Sequence, residues 1–256
     1  MKKETKYRLL FILILTIILG INTGVSYMFG WRPAGNTQNV VSAEIAYEDL
    51  LDYISRDNVK ELAKENDGYV VINNNKPYFD IIQKEPIIIL SDFDNLGRCG
   101  SAFMVTSEGM LPTGERESIG MIKPSGWNTI NTKEQFDGML LKDNTFYVYN
   151  RSHLLAWSIS GLNAEERNLI TGTRQMNLLM TDFEDPVREY TKAGGHVNYR
   201  VTPIFEGNNL LATGVLMEAK SVETDDIEYC VFLYNVQQLE NGEYINLDYK
   251  TGKLIK

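Results

Sequence analysis

Two short stretches of the chain concentrate side chains that could hydrolyse a phosphoester. His153 lies two residues after Arg151, and a second polar stretch ends at Asn177, 24 residues beyond the histidine. An imidazole can take a proton from water while a nearby guanidinium holds an anionic phosphate. The spacing therefore indicates a histidine base beside a phosphate-binding arginine, and a histidine satisfied within the core is the structural alternative.

The composition excludes several other kinds of site. Two cysteines and two histidines in 256 residues are too few for a disulfide-dense scaffold or a His-rich metal centre. The sequence has no Gly-rich phosphate loop and no Cys-x-x-Cys pair. Hydrophobic residues make up 43% and charged residues 23%, which indicates a globular protein rather than a collagen-like or disordered one. Cys99 and Cys230 are expected either to form one bridge or to remain buried thiols.

The charge is unevenly distributed along the chain. The formal net charge is −9, so long-range attraction to nucleic acid is not expected. From residue 98 to residue 200, 11 Lys and Arg stand against 12 Asp and Glu, a net −1, while residues 32–97 and 201–256 carry −6 and −5. Any polyanionic substrate must therefore be held by a local cationic patch or by a metal ion.

The two polar stretches also carry a specific resemblance. The first reads Tyr149-Asn150-Arg151-Ser152-His153-Leu154-Leu155-Ala156, and the second reads Asn168-Leu169-Ile170-Thr171-Gly172-Thr173-Arg174-Gln175-Met176-Asn177. Together they resemble the active-site segment of the DNA/RNA non-specific endonuclease family, in its streptodornase-like bacterial branch. The similarity extends from about residue 69 to the C-terminus. The family's commoner motif begins with Asp and has Gly third, where this chain has Asn150 and Ser152.

The resemblance implies roles for three residues. His153 would be the general base, Arg151 would contact the phosphate and support catalysis, and Asn177 would be the one direct protein ligand of Mg²⁺, which Mn²⁺ could replace. Because Mg²⁺ prefers oxygen donors and keeps several waters, a neutral amide suffices when the substrate brings negative charge. The substrate would be DNA, and also RNA, bound through the phosphate backbone and cut to leave 5′-phosphate ends, without an organic cofactor.

The family also implies a second carboxylate close to the metal. Glu184 is our choice, and Asp185 is the alternative. Seven residues separate Asn177 from Glu184, which places both on one face of a continuous helix. Pro186 opposes this interpretation because it disfavours helical geometry at the preceding residue and is expected to start a second helix.

Further polar residues are candidates for substrate contacts. Arg174, Arg188 and Asn168 are assigned to substrate binding, although surface arginines usually pair with acids and a turn asparagine usually stabilises its turn. Trp127 is expected either to stack on a base or to lie in the core. His196 is expected to begin a strand.

The hydrophobic pattern predicts an α+β fold. The resemblance further implies that this fold is a mixed, mainly antiparallel sheet with a ββα-metal finger and flanking helices. Strands are predicted at 69–72, 87–90, 145–149, 199–205, 210–219 and 228–236, with a final hairpin within 244–253. One helix is predicted at 174–193, and an amphipathic helix between 45 and 66 is expected to pack on its own domain.

The N-terminus predicts a location outside the cytoplasm. Residues 9–31 are 23 uncharged residues behind a basic flank, long enough to cross a membrane as an anchor, with a cleaved signal peptide as the rival interpretation. We therefore expect a signal anchor or signal peptide at 1–31, a linker and amphipathic helix at 32–67, and a nuclease domain at 68–256. The predicted protein is an extracytoplasmic Mg²⁺-dependent endonuclease, and a catalytically inactive surface binding module is the alternative.

Overall fold

The computed structural model describes residues 44–79 and 82–255, which contain both helices and strands. The strands are β1 (Tyr69–Val71), β2 (Ile87–Leu90), β3 (Ala102–Val105), β4 (Tyr149–His153), β5 (Leu169–Thr173), β6 (Val197–Ile204), β7 (Gly214–Ser221), β8 (Glu228–Tyr234), β9 (Leu247–Asp248) and β10 (Lys253–Leu254). The α-helices are α1 (Leu50–Ile54), α2 (Asp57–Glu65), α3 (Thr132–Gln135), α4 (Trp157–Ser160) and α5 (Arg174–Lys192).

A six-stranded antiparallel sheet forms the centre of the molecule. Its strand order is β1-β8-β7-β6-β3-β2, so β6, β7 and β8 follow one another as a meander. β7 and β8 are almost wholly buried and β6 is mostly buried, because one face of the sheet packs on α1 and α2 and other contacts are made by α5. The mixed α+β class with a mainly antiparallel sheet is therefore confirmed.

The longest helix, α5, packs on the sheet through a regular apolar stripe. Its buried residues Met176, Met180, Phe183, Val187 and Tyr190 recur at intervals of three and four residues. Thr173 caps the helix, since its hydroxyl accepts a hydrogen bond from the backbone N–H of Met176 at 3.2 Å.

Pro186 lies inside α5 and does not start a second helix, so that expectation is wrong. A proline within a helix removes one backbone hydrogen bond and costs about 3 kcal/mol. Buried Phe183 and Val187 flank it and anchor the helix on both sides, while Asp182 and Asp185 face solvent. Tertiary packing of the apolar stripe therefore outweighs the local preference of the proline.

Strands β4 and β5 form a separate antiparallel pair that leads directly into α5. The register places His153 opposite Leu169 and Tyr149 opposite Thr173. This arrangement is the ββα unit that the resemblance implied. The predicted strand at 145–149 is displaced, because β4 begins at Tyr149 and the preceding segment makes only an isolated bridge between Asn131 and Tyr147. Tyr147 is half exposed, so its alternating pattern does not reflect burial in a sheet.

The amphipathic segment near the start of the described chain packs on its own domain, as expected. It is divided into α1 and α2 by a turn at residues 55–56. Leu50, Ile54 and Val59 share a hydrophobic cluster with Leu216 and Phe232 of the sheet. The final hairpin is also present, as β9 and β10.

The expected anchor or signal peptide at 1–31 and the first part of the linker, 32–43, lie outside the described residues. Within residues 44–79 and 82–255, no helix combines the length and the apolar character needed to cross a membrane. Cys99 and Cys230 are both buried free thiols, so the bridged alternative is wrong. Burial raises the pKa of the Cys99 thiol to about 11.

Candidate active site

The ββα unit brings most of the sequence-predicted residues to one cleft of about 430 Å³. His153 lies at the end of β4, Asn177 lies in the first turn of α5, and Glu184 follows two turns later. The cleft is lined among others by Arg116, Arg151, His153, Arg174, Asn177 and Glu184. Arg188 and Asn168 do not line it.

The hydrogen bonds of His153 define its tautomer. Its Nε2 lies 2.8 Å from the backbone carbonyl oxygen of Asn163, which can only accept, so Nε2 carries the proton and donates it. Nδ1 is then an acceptor, and it faces Nη2 of Arg116 at 3.2 Å. Burial lowers the pKa of His153, the positive charge of Arg116 lowers it further, and the bond to Asn163 opposes them. The geometry therefore supplies a neutral imidazole with an acceptor nitrogen, as a base requires.

Arg116 is a functional candidate that the sequence did not reveal. It lies 37 residues before His153, on a stretch without regular secondary structure, and its neighbours Glu115 and Glu117 are acidic. A lone arginine between two glutamates is typical of a solvated loop. Only the fold brings its guanidinium to the base, and no local pattern could have indicated it.

Arg151 is held in place by backbone carbonyl groups. Its Nε donates to the carbonyl oxygen of Ile122 at 2.5 Å, and its Nη2 donates to that of Gly120 at 2.6 Å. Its guanidinium carbon lies 4.0 Å from the ring centroid of Trp127. Arg151 therefore fastens the 120–127 segment to β4, and Trp127 supports this arginine.

Asn168 stabilises the loop that follows the histidine, so its assignment to substrate binding is not supported by the geometry. Its side chain is fully buried. The amide nitrogen donates to the carbonyl of Leu155 at 2.9 Å, and the amide oxygen accepts from the Leu155 backbone N–H at 2.8 Å. Both ends of the amide are thereby used within the protein, so Asn168 positions the segment after His153.

Asn177 and Glu184 share one face of α5 and open into the same cleft. Glu184 is 8% exposed and has no hydrogen-bond or ion-pair partner in the part of the chain that the structure describes. Burial, and to a smaller extent the charge of Asp185, raises the pKa of Glu184 to about 8, against the opposing charges of Arg116 and Arg188. Asp185 is exposed and pairs with Arg188 at 3.0 Å.

The remaining predicted residues have protein partners. Nε of Arg174 donates to Oδ2 of Asp143 at 2.8 Å, although this arginine still lines the cleft. Arg188 is occupied by Asp185 and Glu189, so its assignment to substrate binding is not supported by the geometry. His196 precedes β6, and its Nδ1 lies 2.6 Å from Oε1 of Glu223.

The donors in the cleft fit a hard divalent cation. The amide of Asn177 makes no hydrogen bond within the described residues, and Glu184 offers an unpaired carboxylate in the same cleft. No group of three or more His, Cys, Asp or Glu side chains that could hold a metal occurs within 44–79 and 82–255. A cation bound here would take few protein ligands, all oxygens, and keep its waters, which is the preference of Mg²⁺.

Comparisons with known proteins agree with this geometry. The sequence model of a family described as "DNA/RNA non-specific endonuclease" matches residues 94–223. The structure is similar to NucA from Streptococcus agalactiae with a magnesium ion bound, at 19% identity and a TM-score of 0.63, covering 79% of this chain and 99% of NucA. It is also similar to the Sda1 nuclease with a bound zinc ion, at 25% identity and a TM-score of 0.58, covering 74% of this chain and 96% of Sda1. No curated protein sequence matches the chain significantly.

Proposed function

The chain belongs to the DNA/RNA non-specific endonuclease family, and from this membership we propose that it hydrolyses phosphodiester bonds of DNA and RNA with His153 as general base and a divalent cation, Mg²⁺ or Mn²⁺, as cofactor. The observation that supports this most directly is the acceptor Nδ1 of a neutral His153, which opens into a cleft shared with Arg116, Asn177 and Glu184.

His153 takes the proton of the attacking water at Nδ1. The Nε2–H bond to the Asn163 carbonyl holds the ring in place and stabilises the imidazolium that results, because a carbonyl oxygen carries partial negative charge. The low exposure of the ring and its lowered pKa keep the base neutral at physiological pH.

Arg116 and Arg151 supply positive charge to the scissile phosphate. Arg116 is exposed, and its Nη2 donates to His153 in the absence of substrate. When phosphate oxygens enter the cleft, they are better acceptors for a guanidinium than a neutral imidazole, so Nδ1 becomes available to water. Arg151 contributes its remaining guanidinium N–H groups from a position fixed by two backbone carbonyls.

Asn177 would hold the cation through its amide oxygen, and Glu184 would orient water in the coordination sphere. When bound, the divalent cation supplies electrostatic stabilisation for charge on the phosphate oxygens and on the leaving 3′ oxygen. The products are then a 5′-phosphate and a 3′-hydroxyl. Because the charged residues of the cleft address phosphate groups rather than base edges, cleavage is independent of sequence.

The alternative of an inactive surface binding module finds no support in this cleft, because the base, the candidate metal ligand and the buried carboxylate all open into it. We further propose that the domain acts outside the cytoplasm. The uncharged run 9–31 behind Lys2, Lys3, Lys6 and Arg8 supports this placement.

The function is tested by digestion of plasmid DNA and of a structureless RNA by the purified protein. Cleavage of both substrates in Mg²⁺, its loss in EDTA and its return when Mg²⁺ or Mn²⁺ is added in excess are the expected results. Cleavage that persists in EDTA would exclude the metal-dependent mechanism, and cleavage of DNA alone would exclude RNA as a substrate.

A further inference from the structure

A second cavity, of about 350 Å³, lies away from the cleft and shares no lining residue with it. It is enclosed by one face of α2, the end of β8 and the C-terminal segment. Its lining includes Lys60, Lys64, Tyr234, Val236, Tyr244 and Tyr249. The volume falls within the range of small-ligand sites, which is roughly 300 to 1,000 Å³.

Three tyrosines contribute to the apolar lining of this cavity together with Ala63 and Val236; Tyr234 is only 6% exposed, so Tyr244 and Tyr249 offer more surface to a ligand. Two of the three tyrosines are held by hydrogen bonds of their hydroxyl groups. The hydroxyl of Tyr234 donates to the carbonyl of Ile54 at 2.7 Å, and that of Tyr249 donates to the carbonyl of Asn235 at 2.7 Å. Their rings are therefore held in place before any ligand arrives, which lowers the entropic cost of stacking. Fixed aromatic rings can stack against a planar aromatic group, and every nucleobase is such a group.

The charged part of the cavity consists of two lysines, one helical turn apart. Lys60 and Lys64 lie on the same face of α2, and both are exposed. Lys64 pairs with Glu61 at 2.6 Å, but both side chains are more than half exposed, and such surface pairs are weak. Lys60 has no ion-pair partner within residues 44–79 and 82–255. Both ammonium groups are thus available to an anion.

The balance of charge distinguishes this cavity from its neighbour. Its lining has two lysines against one acid, Glu206, a net charge of +1 in a chain of −9, and Glu61, which pairs with Lys64 from outside the lining, offsets part of it. A neighbouring cavity is lined by three acids, Asp67, Asp143 and Asp182, and by two basic residues, which gives its lining a net charge of −1. Of these two cavities, an anionic ligand is therefore favoured in the tyrosine-lined one.

We propose that this cavity binds one nucleotide of a nucleic-acid strand, with the base on the tyrosines and the phosphate at Lys60 and Lys64. The inference rests on the proposed function, because it assumes a nucleic-acid substrate. It adds a second contact outside the cleft, which holds the strand through stacking and charge without reading its sequence.

The test measures binding of a short fluorescent oligothymidylate to the full-length protein in EDTA, where no cleavage occurs. Lys60→Glu/Lys64→Glu should weaken binding at least about tenfold, because two charge-assisted contacts are lost. Tyr244→Ala should weaken it about tenfold through lost stacking. The matched control, Lys76→Glu/Lys84→Glu, makes the same change of charge at exposed lysines outside the cavity and should have little effect.

Equal affinities of the two double variants would overturn the proposal, as would a poly-glutamate peptide that binds as tightly as the oligonucleotide. Displacement of the oligonucleotide by thymidine monophosphate would identify a free nucleotide as a sufficient occupant, and its failure to displace would identify a nucleotide within a strand. Both results support the assignment. If wild-type protein binds the oligonucleotide at this cavity but cleaves no DNA with any divalent cation, the proposed function fails separately.

Discussion

His153 is specialised by the unequal use of its two ring nitrogens. Nε2 donates to a backbone carbonyl, and Nδ1 remains an acceptor that faces the exposed guanidinium of Arg116 rather than a carboxylate. A carboxylate partner would raise the pKa of the ring, whereas burial and Arg116 lower it. The site therefore favours a base that is unprotonated at neutral pH over a base with a higher proton affinity.

This environment determines the acid limb of the pH–rate profile. The pKa of His153 lies below 6.5, so the neutral base persists at pH 6.5 and kcat/KM should fall only as the pH drops below that value. Initial rates on plasmid DNA across a pH series at fixed Mg²⁺ measure the midpoint. A midpoint at or above 6.5 in the free enzyme would contradict the described environment of His153.

Asn177 makes a second prediction at this scale. Asn177 is the candidate metal ligand, and its side chain has no protein partner in the described chain. Asn177→Ala should therefore reduce activity at millimolar Mg²⁺ by at least about a hundredfold, and excess metal should restore part of that activity. Circular dichroism should show an intact fold. Asn241→Ala, in an exposed loop, is the control, and near-normal activity of Asn177→Ala would remove this residue from the site.

The sequence could predict residues that lie in the two motifs but not those that the fold brings to them. His153, Asn177 and Glu184 are close along the ββα unit, so their common cleft follows from local structure. Arg116 reaches the site from a loop, and its role depends on a contact across 37 residues. Asn168 belongs to the second motif, yet its full burial gives it a structural role that residue type alone could not show.

At the scale of elements, α5 connects the catalytic cleft with the core. One face carries Asn177 and Glu184, and another carries the apolar stripe that packs on the sheet. The local preference of Pro186 predicted a break in the helix before this residue, and the packing of Phe183 and Val187 prevents that break. The predicted strands that became β6, β7 and β8 are largely buried, as their apolar sequences indicate, whereas β2 forms although Ile87 and Ile89 are exposed. The run at 145–149 is β-prone but only partly buried, and β4 begins at its last residue.

The buried Glu184 makes stability depend on pH in the metal-free protein. Its pKa is raised from 4.5 to about 8 in the folded state, so the folded state binds the proton more tightly. Stability should therefore fall as the pH rises from about 4.5 to about 8 and then level off. Glu184→Gln removes this loss and should raise the Tm above pH 8 by at least about 3 °C, as thermal unfolding in EDTA would measure.

Asp185→Asn is the matched control for this measurement. Asp185 is exposed and paired with Arg188, and its charge contributes less than burial to the raised pKa of Glu184, so its replacement should leave most of the pH dependence of the Tm in place. Identical pH profiles for Glu184→Gln and wild type would mean that Glu184 is not buried as an unpaired carboxyl group.

At the scale of the whole molecule, the segment that contains the cleft is less acidic than the segments on either side of it in the sequence. The acidic flanks, −6 and −5, surround a central region of −1 that contains the cleft. A chain of this charge is not drawn to nucleic acid from a distance, so local attraction must come from the arginines of the cleft and from the divalent cation proposed above. Substrate binding should therefore depend on the concentration of the divalent cation more strongly than it does for a basic nuclease.

The basic flank and uncharged run at the N-terminus predict the side of the membrane on which the domain works. Protease added to intact cells should degrade an anchored nuclease domain, while a cytoplasmic control protein remains intact. If the domain is instead released by signal cleavage, it should appear in the culture medium. Full protection of the domain within intact cells would contradict an extracytoplasmic location.

The catalytic assignment depends on His153, and the chain offers its own control in the second histidine, His196. A positioned general base contributes about 10² to 10⁴ in rate, so His153→Ala should lose at least about a hundredfold in kcat on plasmid DNA, with oligonucleotide binding retained. His196 is partnered with Glu223 away from the cleft, so His196→Ala should keep wild-type activity and its pH profile. Retention of most activity by a folded His153→Ala protein, or loss of activity in His196→Ala instead, would contradict the mechanism.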